Sequence, residues 1–150
     1  MLQVDPGIVD AVLGWMEEYR VTPLWVEKIL ISKTLGYGGK PDLVGSWRPE
    51  GIGRVVVVDW KSQKTTEGKP IRFYKKEWVP LLAAYGRLTG LTGVIDHISV
   101  VPSQTEPGRI DHRVWTPGEV EWGWIKFKMT RDLYFHDNGY DPRLFEVEAA

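Results

Sequence analysis

The chain has 150 residues, no cysteine, and 19 basic against 20 acidic side chains, for a formal net charge of −1. That length suits a single domain, residues 1–150, with a core of its own; the missing cysteines exclude disulfides, thiolate zinc sites, iron–sulfur clusters and a cysteine nucleophile, which points to a cytoplasmic protein and to oxygen ligands for any metal. No apolar run reaches the roughly 20 residues of a membrane span, and the opening MLQVDPGIVD lacks the basic and apolar regions of a signal peptide, so neither membrane insertion nor export is expected.

Asp5 before Pro6 reads as an N-cap followed by proline at the first helical position, with Val4 and Val9 placed for a hydrophobic staple. Ile8, Val9, Val12, Leu13, Met16 and Tyr19 recur at helical spacing and predict a helix from about Pro6 to Tyr19. Leu24 to Ser32 alternates as a strand, with Trp25, Glu27, Ile29 and Ile31 on one face and Glu27 the odd member of that row. Gly36-Tyr37-Gly38-Gly39-Lys40 is then a turn, and Pro41 to Trp47 the returning strand, with Asp42 at its start.

Arg48-Pro49-Glu50-Gly51 makes the next turn. The run Val55 to Val58 suits a central strand covered on both faces, and alternation places Val55, Val57, Asp59 and Lys61 on one of them. A polar loop over 62–70 leads to a helix from roughly Phe73 to Thr89, closed by Gly90; Pro80 either sits in the first turn of a late-starting helix or kinks an early-starting one. Val94 to Pro102 and Ile110 to Trp115 form a hairpin closed by Glu106-Pro107-Gly108. Thr116-Pro117-Gly118-Glu119 is a capping box that opens a last helix to about Asp137, stopped by Gly139. The order αβββαββα, with no internal repeat, implies an α/β layered domain around a mixed sheet.

The near-zero net charge hides a pattern. Residues 1–32 carry two basic and five acidic side chains (−3), residues 33–87 eleven and five (+6), and residues 88–150 six and ten (−4). The basic middle suits a polyanionic partner or, as the plainer reading, a solvated surface. Within it lie Asp42 and, 17 residues later, Asp59-Trp60-Lys61. Two acids on neighbouring strands about 4.8 Å apart suit one divalent cation, and a lysine suits positioning of water and phosphate. The alternative for Asp59 and Lys61 is a surface ion pair of little energetic weight.

Other features narrow the chemistry. The glycine turn does not fit a Walker A loop, which would need glycine at Thr34 and serine or threonine at Pro41. His97, His112 and His136 lack ligand spacing and read as structural or solvated. Of eight tryptophans, Trp47, Trp60 and Trp78 lie in or beside the basic segment, where base stacking is worth about 1–3 kcal/mol. Trp115, Trp122 and Trp124 read as core or an oligomer contact.

Glu27, the segment Gly36 to Asp42, the run Val55 to Lys64 and the helix Leu81-Leu82-Ala83-Ala84-Tyr85 together resemble the PD-(D/E)xK nuclease superfamily, in its RecB-like and lambda-exonuclease-like branch. The resemblance implies a restriction-endonuclease-like sandwich, with Asp42 and Asp59 as ligands of magnesium or, in its place, manganese, the Trp60 carbonyl as a further candidate ligand, and Glu27 as a further metal or water ligand or, alternatively, an edge-strand residue in solvent. It implies that Lys61 positions or deprotonates the attacking water, and that DNA is the partner. Tyr85 then either orients substrate or packs as a helix aromatic, and Gln63, Lys40, Lys64, Lys69, Arg72, Lys75 and Lys76 are candidates for substrate contacts. The branch commonly has glutamine four residues before the tyrosine, where this chain has Leu81. The function implied is a magnesium-dependent deoxyribonuclease of phage type, acting in a bacterial or phage-infected cell on DNA ends in recombination, repair or phage DNA processing. Related exonucleases form rings, so a homo-oligomer is compatible. The alternatives are a structure-specific endonuclease, or a noncatalytic tryptophan-rich module that binds sugars or single-stranded nucleic acid.

Overall fold

The computed structural model describes residues 5–145, and Val4, one half of the expected staple, lies outside them. Helix α1 (Pro6–Glu18) starts where its cap requires, the Asp5 carboxylate accepting from the Gly7 amide at 2.8 Å. Five strands form one mixed sheet: β1 (Thr22–Val26), β4 (Leu43–Trp47), β5 (Arg54–Trp60), β6 (Ile95–Pro102) and β7 (Ile110–Trp115), in the order β1-β4-β5-β6-β7. Only β5 and β6 run parallel in it, joined through α2 (Lys75–Leu88); the other neighbours are antiparallel. Helix α3 (Pro117–Asn138) follows β7 with both hydrogen bonds of its capping box formed, and ends at Gly139 with φ 59°.

The continuous strand expected over Leu24–Ser32 does not form. It stops at Val26, because Glu27 takes φ 48° and turns the chain away from the sheet. Residues 30–39 make a separate hairpin of β2 (Leu30–Ser32) and β3 (Tyr37–Gly39), closed over 33–36 by Gly36 at φ 79°. The turn thus precedes the predicted one, and most of the glycine segment is strand. Ile29 and Ile31 consequently stand 68 % and 82 % exposed and do not line a buried face. The observed order therefore differs from αβββαββα by one inserted hairpin.

Strand β5 is central, with Val56, Val57 and Val58 fully buried. Val56 and Val58 pack with Trp15 of α1, Leu43, Trp47, Ile98 and Val100. Val57 faces the other way, towards Val44, Val79, Leu82 and Trp115. Helices thus cover both faces, α1 on one and α2 on the other, with α3 against α2. Gly123 permits that last contact, since a Cβ there would stand 2.7 Å from Val79 Cγ1. Pro80 lies inside α2 and cannot donate to the Lys76 carbonyl four residues earlier; Lys126 of α3 donates to that carbonyl instead, at 2.9 Å. Among the described residues no helix is long and apolar enough to cross a membrane.

Candidate metal and phosphate site

The last residues paired between β4 and β5 are Leu43 and Val58. Asp42 and Asp59 lie one residue beyond that pair, at the same end of adjacent strands and, by alternation from Val44 and Val57, on the α2 face. The Asp42 carboxylate accepts from the Trp60 amide at 2.8 Å and stands within hydrogen-bonding reach of the Asp59 carboxyl group. Lys61 Nζ lies 3.2 Å from Asp59 Oδ2. A residue's N–H and C=O point to the same edge of a strand, so the Trp60 carbonyl lies on the edge that Asp42 occupies.

Asp59 is only 6 % exposed. Burial pushes its carboxyl up to about 6; the neighbouring Asp42 adds to the rise and the Lys61 ammonium works against it. Tyr85 joins the site from α2, its phenol raised by burial and then by the charges of Asp59 and Asp42. Gly39 makes room for the ring, because a Cβ there would approach Tyr85 Cε1 to 2.7 Å. Tyr85 therefore packs as a helix aromatic and also lies in the field of the two acids.

Glu27 does not take the expected position. Its amide bonds the Asp42 carbonyl at 3.0 Å, but its side chain is exposed at the bend that ends β1. Among the described residues no group of three or more acidic or histidine side chains is placed to hold a metal ion. The site is thus two carboxylates, with the Trp60 carbonyl on their edge. Hard oxygens of this type suit magnesium or manganese, and a cation would relieve the repulsion between the paired acids.

The predicted substrate residues divide into two groups. Gln63 is engaged by the fold: its Nε2 donates to the Arg72 carbonyl at 2.8 Å and its Oε1 accepts from the Arg72 amide at 3.2 Å. Lys40, Lys64, Lys69, Arg72 and Lys76 are exposed, and Lys75 is half-buried with its ammonium 4.7 Å from the Trp122 ring centre. Lys126 also lies over Trp122, at 5.5 Å, a cation–π group that the sequence reading missed. Its only signal was the spacing of four between Trp122 and Lys126 on a predicted helix.

Three expectations for aromatic and histidine side chains are also settled by burial. Trp47 is buried and its indole donates to Asp96 at 2.9 Å, so it offers no stacking surface. Trp115 and Trp124 belong to the core, whereas Trp122 does not. His112 Nδ1 accepts from Trp15 Nε1 at 3.1 Å, and His97 is packed against Gly86, where burial lowers its imidazole to about 4. No protein-family model and no curated protein matches the chain.

Proposed function

We propose that the chain is a divalent-metal-dependent DNA nuclease with a restriction-endonuclease-like sandwich, acting preferentially at DNA ends. The observation that carries this reading is the pairing of Asp42 with buried Asp59, with Lys61 Nζ at 3.2 Å from the second acid. A carboxyl group raised to about 6 beside another acid is an unfavourable arrangement for the fold alone and a favourable one for a cation. When bound, magnesium or manganese supplies Lewis acidity that activates water and neutralises charge on the phosphate. Asp42 and Asp59 would hold the ion, with the Trp60 carbonyl available on the same edge. Lys61 shares the face of Asp59, where its ammonium positions the attacking water and offsets charge on the phosphate. Tyr85 orients the substrate from α2, and the exposed lysines that follow the motif attract the phosphate backbone without reading sequence. Water adds to phosphorus and gives up a proton to solvent, the P–O bond to the sugar oxygen breaks, and that oxygen leaves as an alcohol after taking a proton from solvent.

A tryptophan-based binding module has less support, because Trp15, Trp47, Trp115 and Trp124 are all in the core. The decisive experiment is a timed digestion of end-labelled linear, single-stranded and closed circular DNA under magnesium and under manganese. Linear DNA is expected to shorten from its ends while circles persist. The metal should raise the melting temperature of the wild type, and Asp59→Ala should abolish both effects. Loss of circles would replace the exonuclease by an endonuclease; intact DNA under both metals, with no thermal shift, would remove the nuclease reading altogether.

A further inference from the structure

Beyond the Leu43–Val58 pair, β5 has no partner strand on its β4 side among the described residues, while on the other side it continues along β6. The Lys61 amide donates to the Val100 carbonyl at 2.9 Å and the Gln63 amide to the Pro102 carbonyl at 3.3 Å. Residues 59–63 therefore form an open margin of the sheet, with side chains alternating between its two faces. Asp59 and Lys61 point to the α2 face. Trp60 points to the α1 face, where its ring stands edge-on to Trp15 with centroids 5.7 Å apart.

On that face lies a groove of about 570 Å³, walled by Val9 and Leu13 of α1, by Trp60 and by Pro102, with Asp5, Ser62 and Gln104 as its polar residues and the Asp5 carboxylate engaged by the Gly7 amide. Leu13 is 58 % exposed, so an apolar wall of the groove is uncovered among the described residues. Gln104 Nε2 donates to Ser62 Oγ at 2.9 Å, which leaves the Gln104 carbonyl oxygen as an acceptor and the Ser62 hydroxyl as a donor. The Trp60 amide is held by Asp42, so the indole wall is fixed in register with the carboxylate pair.

We propose that this groove is a nucleobase subsite for the nucleotide adjoining the phosphate that Asp59 and Lys61 address. An aromatic wall, apolar helix residues opposite it and the Ser62–Gln104 pair with a donor and an acceptor to spare match a planar heterocycle with a polar edge. The open margin lets the phosphate lie on the α2 face while the base turns across it to the α1 face. A base held there has left its pair, so the occupant is a single strand or a frayed end, and the groove favours such substrates without choosing among bases. The inference rests on the nuclease reading and adds the nucleotide's second point of attachment.

The test uses an oligonucleotide with 2-aminopurine at successive positions from each end, with calcium replacing magnesium so that binding is read without turnover. Stacking on Trp60 should quench the probe at one position in the wild type. Leu13→Glu, at an exposed α1 position away from the carboxylates, should abolish the quench and raise KM about tenfold with kcat nearly unchanged. The magnesium-induced thermal shift should persist in that variant. If the wild type cuts DNA but no position is quenched, or the quench survives Leu13→Glu, the groove is not a base site and the nuclease reading stands. If the wild type neither cuts DNA nor responds to metal, both fall together.

Discussion

Asp59 shows at the scale of one residue how a site can be set against the fold that holds it. Its carboxyl rises from an ordinary 3.8 to about 6, chiefly through burial. A raised carboxyl favours the folded state while protonated and loses that advantage as pH rises from the unfolded value through about 6. At pH 8 without metal, ionised Asp59 therefore opposes folding, by roughly 2 kcal/mol once coupling to Asp42 and Lys61 is allowed for. Asp59→Asn should stabilise the metal-free protein by about 1–2 kcal/mol at pH 8. The check is urea unfolding in a chelator, and a midpoint below that of the wild type would refute it. The juxtaposition of Asp42, Asp59 and Lys61 at one end of adjacent strands was legible because strand alternation and hairpin pairing act locally. The place of Gln63 was not legible, because its amide fits a substrate contact and the Arg72 backbone equally well; only the position of the returning loop chooses between them.

Element boundaries followed local chemistry wherever a cap or stop was present. The Asp5-Pro6 start, the Thr116–Glu119 box and the Gly139 stop each satisfy backbone groups from within a few residues. Pro80 had no such local answer, because the donor that replaces its missing amide comes from Lys126 on another helix. Lys126→Met should cost about 1 kcal/mol, less any part recovered by water at this exposed position. In a Pro80→Ala background the same change should cost little, since the alanine would supply the missing amide itself. Equal losses in both backgrounds, measured by thermal unfolding, would show that the lysine does not serve that carbonyl. Glu27 failed for the opposite reason: a good alternating pattern ran through it, but the chain leaves the sheet there at φ 48° to build the β2–β3 hairpin. Tyr37 ties that hairpin to α2, its hydroxyl donating to the Ala84 carbonyl at 2.7 Å.

Across the whole molecule, two titrating groups on the α2 face, buried Asp59 and half-buried His97, work against each other in mild acid. His97 is held neutral, its imidazole lowered from 6.5 to about 4 mainly by burial, so it contributes stability above the ordinary value that is lost as pH falls towards about 4. Asp59 gains stability on protonation over nearly the same range, from about 6 down to 3.8. Their effects offset in the metal-free wild type. In Asp59→Asn only the His97 contribution remains, and the melting temperature should fall more steeply between pH 6.5 and 4.5 than in the wild type. Parallel curves in a chelator would contradict that compensation.

The sequence by itself determined the layered α/β character, the central valine strand, three helices and the chemistry of the side chains at the end of that strand. Those properties depend on hydrophobic period, caps and side-chain chemistry, which act over a few residues. The tertiary structure alone decided that Asp42 and Asp59 meet one residue beyond the last strand pair, that Glu27 stays outside, and that Trp60 faces a groove across an open sheet margin. Each of those depends on register and on which strand ends first. Register is fixed by packing between segments distant in sequence, so no local pattern carries it.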